Sequence, residues 1–180
     1  MYSEQILAHS CMYVADYVRG VYQSTDDGVT WSLVLKLLQL ADDWRCMHAV
    51  EVSSDGNTDV YWTVEVLDSN KGEYRLRVCT VDKRQTGNHV TWRDVTLLSD
   101  VTLDWVNNLA YDGHTNVFIR DFVNKAVHVW SVSGQYERQL VSQLANQPVH
   151  VAFDSQRGHV MYVGQGSGKI SVFKLTYESM

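Results

Sequence analysis

Apolar residues recur along this chain at every second position. In the run from Tyr74 to Cys79, Tyr74, Leu76 and Val78 fall on one side and Arg75, Arg77 and Cys79 on the other, which is the alternation of a β-strand. Short runs of the same kind, such as Val117-Phe118-Ile119, Val127-His128-Val129-Trp130 and Val160-Met161-Tyr162, are separated by turn residues. Those turns are Asp27-Gly28, Asp55-Gly56, Lys71-Gly72, Asp112-Gly113, Ser133-Gly134 and Gly166-Ser167-Gly168, sequences suited to hairpin connections. The one helix-compatible stretch, Leu33 to Leu40, reads mainly as a strand running into a loop. Pro148, the single proline, stands just before a strand, where its missing N–H does no harm. The pattern predicts an all-β protein.

The strands repeat. Leu109-Ala110-Tyr111-Asp112 aligns with Val151-Ala152-Phe153-Asp154 at an offset of 42 residues. Val117-Phe118-Ile119 aligns with Val160-Met161-Tyr162, and Val127 to Trp130 with Ile170 to Phe173, both at 43. A period of about 43 residues is the length of one β-propeller blade. In the N-terminal half, Cys11 to Val14 and Val21 to Ser24 copy the second and third strands of that unit, while Val29-Thr30-Trp31 and Val90-Thr91-Trp92 open equivalent last strands. The expectation is a single domain over 1–180 with four-stranded antiparallel blades at about 5–40, 45–98, 105–143 and 148–176, about four in all. The first and last are incomplete, short of an innermost and an outermost strand respectively. An uncovered edge strand invites pairing, so a larger ring closed by self-association, a homodimer through the unpaired edges, is expected, the alternatives being a fragment and an unusual small propeller that closes on itself.

The stretch Asn108 to Leu175, with "LAYD", "VHVWSVSGQYERQLV" and "QPVHVAFD", resembles the NHL and YWTD repeat families, and Tyr61-Trp62-Thr63 matches three of the four YWTD letters. Val64 stands where the Asp would be. Ser24, Asp26, Gly28, Thr30 and Trp31 match the Asp-box pattern S-x-D-x-G-x-T-W. That resemblance implies a structural turn in which the Asp accepts backbone N–H groups and the Trp packs beneath. It implies no activity.

Composition narrows the classes. The chain has 180 residues, 45% hydrophobic, with a formal charge of −6, so a nucleic-acid backbone is repelled and no basic cluster offsets this. No apolar run approaches the roughly 18 residues of a membrane span, and Met1 to Gln5 lack a basic n-region and a long apolar h-region. A cytosolic protein is expected, although an excised extracellular domain gives the same reading. Cys11, Cys46 and Cys79 are widely spaced and read as buried free thiols.

Candidate chemistry is sparse. No nucleophile elbow, phosphate-binding loop or zinc-protease pair is present, and no metal or other cofactor is expected. His48, Asn108 and His150 fall at one equivalent position at the entrance to an innermost strand, with Asn107 alongside, so they are expected to line the central channel. Resemblance to lactonase-type propellers implies an Asn that binds a divalent cation, matching Asn107. A cation site needs several oxygen ligands, and only uncharged Asn and His are seen here. Trp44 and Trp105, next to Asp43 and Asp104, are candidate aromatic contacts, whereas Trp31, Trp92 and Trp130 are expected to pack blade against blade. Arg120-Asp121 and Arg93-Asp94 read as surface charge. The leading expectation is a non-catalytic module presenting propeller-face loops to a protein partner. The alternatives are a glycan-binding propeller, a lactonase- or sialidase-like hydrolase, and a truncated or engineered fragment with no ligand of its own.

Overall fold

The computed structural model describes residues 12–16, 20–26, 28–36, 44–54, 57–67, 73–84, 89–95, 103–106, 108–141, 144–154 and 160–176. They form four antiparallel sheets, each a meander in which neighbours in sequence are neighbours in space. The first holds β1 (Met12–Asp16), β2 (Gly20–Ser24) and β3 (Ser32–Lys36). The second holds β4 (Trp44–Ser54), β5 (Thr58–Leu67), β6 (Glu73–Asp82) and β7 (His89–Asp94). The third holds β8 (Leu109–Tyr111), β9 (Asn116–Asp121), β10 (Ala126–Ser131) and β11 (Tyr136–Val141). The fourth holds β12 (Pro148–Asp154), β13 (Val160–Gln165) and β14 (Ile170–Lys174). Of the Leu33 to Leu40 run, Leu33 to Lys36 lies in strand β3, and residues 37–40 lie outside the described residues.

Two apolar layers hold the sheets face to face. Between the second and third lie Trp62, Val64, Leu76, Val117, Ile119 and Trp130. Between the third and fourth lie Phe118, Val127, Val129, Val151, Met161 and Val163. Strand alternation explains the division: on β9, Val117 and Ile119 face one way and Phe118 the other, so the third sheet is buried on both faces. Polar bonds fix the register of the first layer. Trp62 Nε1 donates to Val132 O at 3.2 Å, and Arg93 Nη2 donates to Ser133 O at 2.7 Å, both reaching the β10–β11 turn. Gly134 there has φ +96, and a Cβ on it would lie 2.7 Å from the Arg93 guanidinium.

The pairing corrects the repeat alignment by one residue. Ala110 pairs with Phe118, which pairs with Val129, and Ala152 pairs with Tyr162, which pairs with Val172. Phe118 therefore corresponds to Tyr162 and not to Met161. The loop between β12 and β13 is longer than that between β8 and β9, and a one-residue slip exchanges the faces of a strand. Trp31 and Trp92 also depart from expectation. Trp31 is exposed, and Trp92 is half-buried with the Arg77 guanidinium 4.4 Å from its ring centroid, while Trp130 is fully buried. Trp31 sits on a hairpin end and Trp92 on an outermost strand, where no neighbouring sheet covers them fully. Cys79 is a buried free thiol whose pKa burial pushes up to about 12. Cys11 and the Cys46 side chain lie outside the described residues.

Truncating Trp62 to Ala removes a fully buried ring and is expected to destabilise the protein by about 3–5 kcal/mol. Trp62→Phe, which removes the Val132 bond and a smaller volume, is expected to cost about 1–2 kcal/mol. Urea unfolding followed by tryptophan fluorescence checks the order; equal losses would mean that burial of the ring adds nothing to the junction beyond the indole N–H bond.

Candidate functional site

One buried guanidinium organises an end of the molecule. Arg120, near the end of β9, is 3% exposed. Its Nη1 donates to Pro148 O at 3.0 Å and to Val149 O at 3.3 Å, and its Nη2 donates to Trp105 O at 3.3 Å. Its Cζ lies 5.3 Å from the centroid of the Phe122 ring. Burial lowers the Arg120 pKa, while Asp121 and Tyr74 act to raise it; a pKa that starts so high leaves it a cation at neutral pH. Arg120-Asp121 is therefore not surface charge. Every residue of β9 after Asn116 is buried, so an Arg there is drawn inside, where three carbonyl oxygens accept from its two Nη groups. Arg93 and Asp94 are exposed, as expected, and Asp94 forms an ion pair with Arg77, Oδ1 to Nε 3.0 Å.

The segments tied to Arg120 carry exposed apolar groups. Trp105 is 55% exposed, Val123 47% and Val149 49%. Trp105 has φ 52, a left-handed conformation that an aromatic residue adopts at a cost of roughly 1–2 kcal/mol. Its ring packs edge-on against Phe122 with centroids 5.3 Å apart. Val123 N donates to Asp104 O at 3.5 Å, bringing the β9–β10 turn beside the Trp105 segment. His150 is exposed next to Val149.

Asn108 has a different task. It is buried, and its Oδ1 accepts the Val151 N–H at 2.8 Å, joining the start of β8 to β12. The register places His150 and Asn108 at corresponding positions, opposite Gly164 and Arg120 respectively. His48 follows a bulge in β4 just as His150 follows one in β12. The side chains of His48 and Trp44 lie outside the described residues, as does Asn107.

Buried next to Arg120, Asp121 belongs to a polar cluster that sequence inspection missed. Asp121 accepts Asn124 N at 3.0 Å and Asn124 Nδ2 at 2.8 Å, and lies 3.6 Å from His128 Nε2. His128 Nδ1 is 3.2 Å from the Tyr136 hydroxyl. Burial raises the Asp121 pKa, but the neighbouring His128 ring and the bonds from Asn124 outweigh it and hold the carboxyl below its usual value. The alternation of β10, which turns His128 away from Val127 and Val129, was the available signal.

At the other end of the described chain, Asp26 accepts Thr30 N at 2.8 Å and Thr30 Oγ1 at 2.6 Å, and Ser24 Oγ donates to it at 2.7 Å. These bonds hold its pKa down at about 2. Gly28 takes φ 86 in the same turn, its N–H donates to Ser24 Oγ, and Trp31 Nε1 donates to Gly28 O at 3.0 Å. All five residues are thus spent on the turn.

No family model and no curated protein matches the chain. Solved structures do. Regucalcin of Agrobacterium tumefaciens, titled a calcium-binding protein, superposes with a TM-score of 0.55 at 14% identity, over 92% of this chain and 53% of its own. Hydrazine synthase of Kuenenia stuttgartiensis superposes at 0.53 and 11% identity, over 93% of this chain and 55% of its own. The fold is a partial β-propeller. The chain spans about half the length of these structures. Among the described residues no group of three or more His, Cys, Asp or Glu could hold a metal ion, the Asn108 oxygen accepts an N–H, and Asp112 and Asp121 accept N–H groups of their own turns.

Two variants test the cluster. Arg120→Lys cannot bridge three carbonyls and is expected to destabilise by about 1.5–3 kcal/mol, with a change in the near-ultraviolet signal of Trp105. Asp121 has a lowered folded-state pKa, so its stabilisation is complete above the ordinary carboxylate pKa near ~4 and is lost as pH falls through the lower folded value. Asp121→Asn should therefore weaken the protein at pH 7 and flatten the acid limb of its stability curve, as read by denaturant titrations between pH 7 and pH 2. An unchanged acid limb would remove Asp121 from the account.

Proposed function

We propose that the chain is a non-catalytic binding module that takes an apolar anchor of a protein partner on the surface formed by Trp105, Val123 and Val149. The observation that carries this reading is the combination of exposure and fixation. Three apolar side chains stand in solvent, Trp105 and Val149 on segments tied to Arg120 and Val123 on a turn tied to Asp104 O. Fixed aromatic and aliphatic groups lose little entropy on binding, and such groups dominate protein interfaces. The neighbouring His150 and Asp104, both exposed, supply a polar rim of the kind that surrounds an apolar interface core.

An exposed Trp is also a stacking surface for a sugar ring, so the glycan reading is set against the first in one experiment. Peptides selected from a displayed library on the wild-type protein are expected to lose at least about tenfold in affinity for Trp105→Ala and for Val149→Ser. Tryptophan fluorescence is expected to stay unchanged across a panel of free mono- and disaccharides. Saturable quenching by one sugar that disappears in Trp105→Ala would replace the protein partner with a glycan. Selected peptides that bind both variants as well as wild type would move the partner site elsewhere.

A further inference from the structure

The fourth sheet presents a face that the third sheet buries. By the pairing described above, Ala110, Phe118, Val127 and Val129 correspond to Ala152, Tyr162, Ile170 and Val172. The first four are buried against the fourth sheet. Their counterparts are apolar as well, yet Ile170 is 63% and Val172 61% exposed, and Ala152 and Tyr162 are only half-buried. Gly164 stands where Arg120 stands, so this face is apolar without a guanidinium arm. It has the chemistry of one more sheet-to-sheet layer, and no other sheet among the described residues packs on it.

At the other end, Trp31 and Leu33 project from one side of the first sheet's last hairpin, two residues apart, at 40% and 42% exposure. The two propellers that superpose on the chain are covered over only 53% and 55% of their length, so the four sheets match about half of either. We propose that the Tyr162, Ile170 and Val172 face of the fourth sheet docks onto the first sheet of a second copy, the side bearing Leu33, and that two such contacts related by a two-fold axis close one ring. The contact continues the packing already repeated twice inside the chain. Each contact joins two different faces, and the two-fold axis generates both contacts at once, so the pair closes on itself and does not extend into a filament.

Light scattering during size exclusion, over a hundredfold concentration range, should give twice the chain mass of 20.6 kDa. Val172→Asp and Leu33→Asp each bury an unpaired carboxylate in the contact and should raise the dissociation constant by roughly 100-fold or more, giving monomers. The substituted residues are exposed in the single chain, so the circular dichroism of each monomer should keep its β signature. Mixing the two variants distinguishes this geometry from others: a mixed pair retains one unaltered contact between wild-type faces, so dimer should partly return. A wild-type monomer at every concentration, a Leu33→Asp variant that stays dimeric, or a mixture that never re-associates would each overturn the proposal.

Discussion

The described structure depends on burial of the third sheet from both sides. An antiparallel sheet usually keeps one face for solvent, and then its strands alternate apolar and polar. Here β9 and β10 send Val117, Ile119 and Trp130 into one layer and Phe118, Val127 and Val129 into the other. Neither layer is complete without this sheet, and each element of it must hold its register, because a slip by one residue would exchange the contents of both layers. The polar bonds that cross between sheets act on that requirement. Trp62 and Arg93 grip the β10–β11 turn from the second sheet, while Arg120 and Asn108 reach the start of β12 from the third.

Two-sided burial also explains where the charged groups go. On a strand with no solvent face, an Arg must find oxygen atoms inside or be absent. Arg120 finds carbonyls of three residues in two separate segments, and in doing so converts loop ends into parts of one rigid surface. Asp121, the next residue, points the opposite way by alternation, toward Asn124 and His128. Adjacent opposite charges thus anchor different segments, Arg120 those of Trp105 and Val149 and Asp121 the turn of Asn124.

The repeat and the strand class were legible because alternation and Gly-containing turns are local features of the chain. The register between repeats was less so. Matching Val117-Phe118-Ile119 to Val160-Met161-Tyr162 maximises likeness of residue type, but the pairing is set by the length of the intervening loop. The longer β12–β13 connection moves the correspondence along by one. Arg120 was misread for a related reason: an Arg-Asp dipeptide suggests surface, and only the uninterrupted burial of β9 shows otherwise. Trp31 and Trp92 were misread in the opposite direction, since a Trp in a strand context signals an apolar neighbour without saying whether a second sheet or a stacked Arg77 provides it. Asn108 was found by its repeat position, but its role came from the Val151 N–H that it accepts. Nothing in the sequence alone pairs a residue with a backbone group 43 positions away.

The two apolar surfaces differ in kind, and the difference follows from their places on the sheets. Ile170 and Val172 lie along the flank of a strand, where side chains stand perpendicular to the sheet and a second sheet can interleave with all of them. Trp105, Val123 and Val149 lie at strand ends, where the backbone leaves the sheet and only a tie such as Arg120 keeps it in place. A sheet can cover the flank but has no edge or face with which to cover the ends. Closing the ring would therefore bury the first surface and leave the second in solvent, which is the arrangement a propeller needs if its flanks are to supply stability while its loops remain open to a partner.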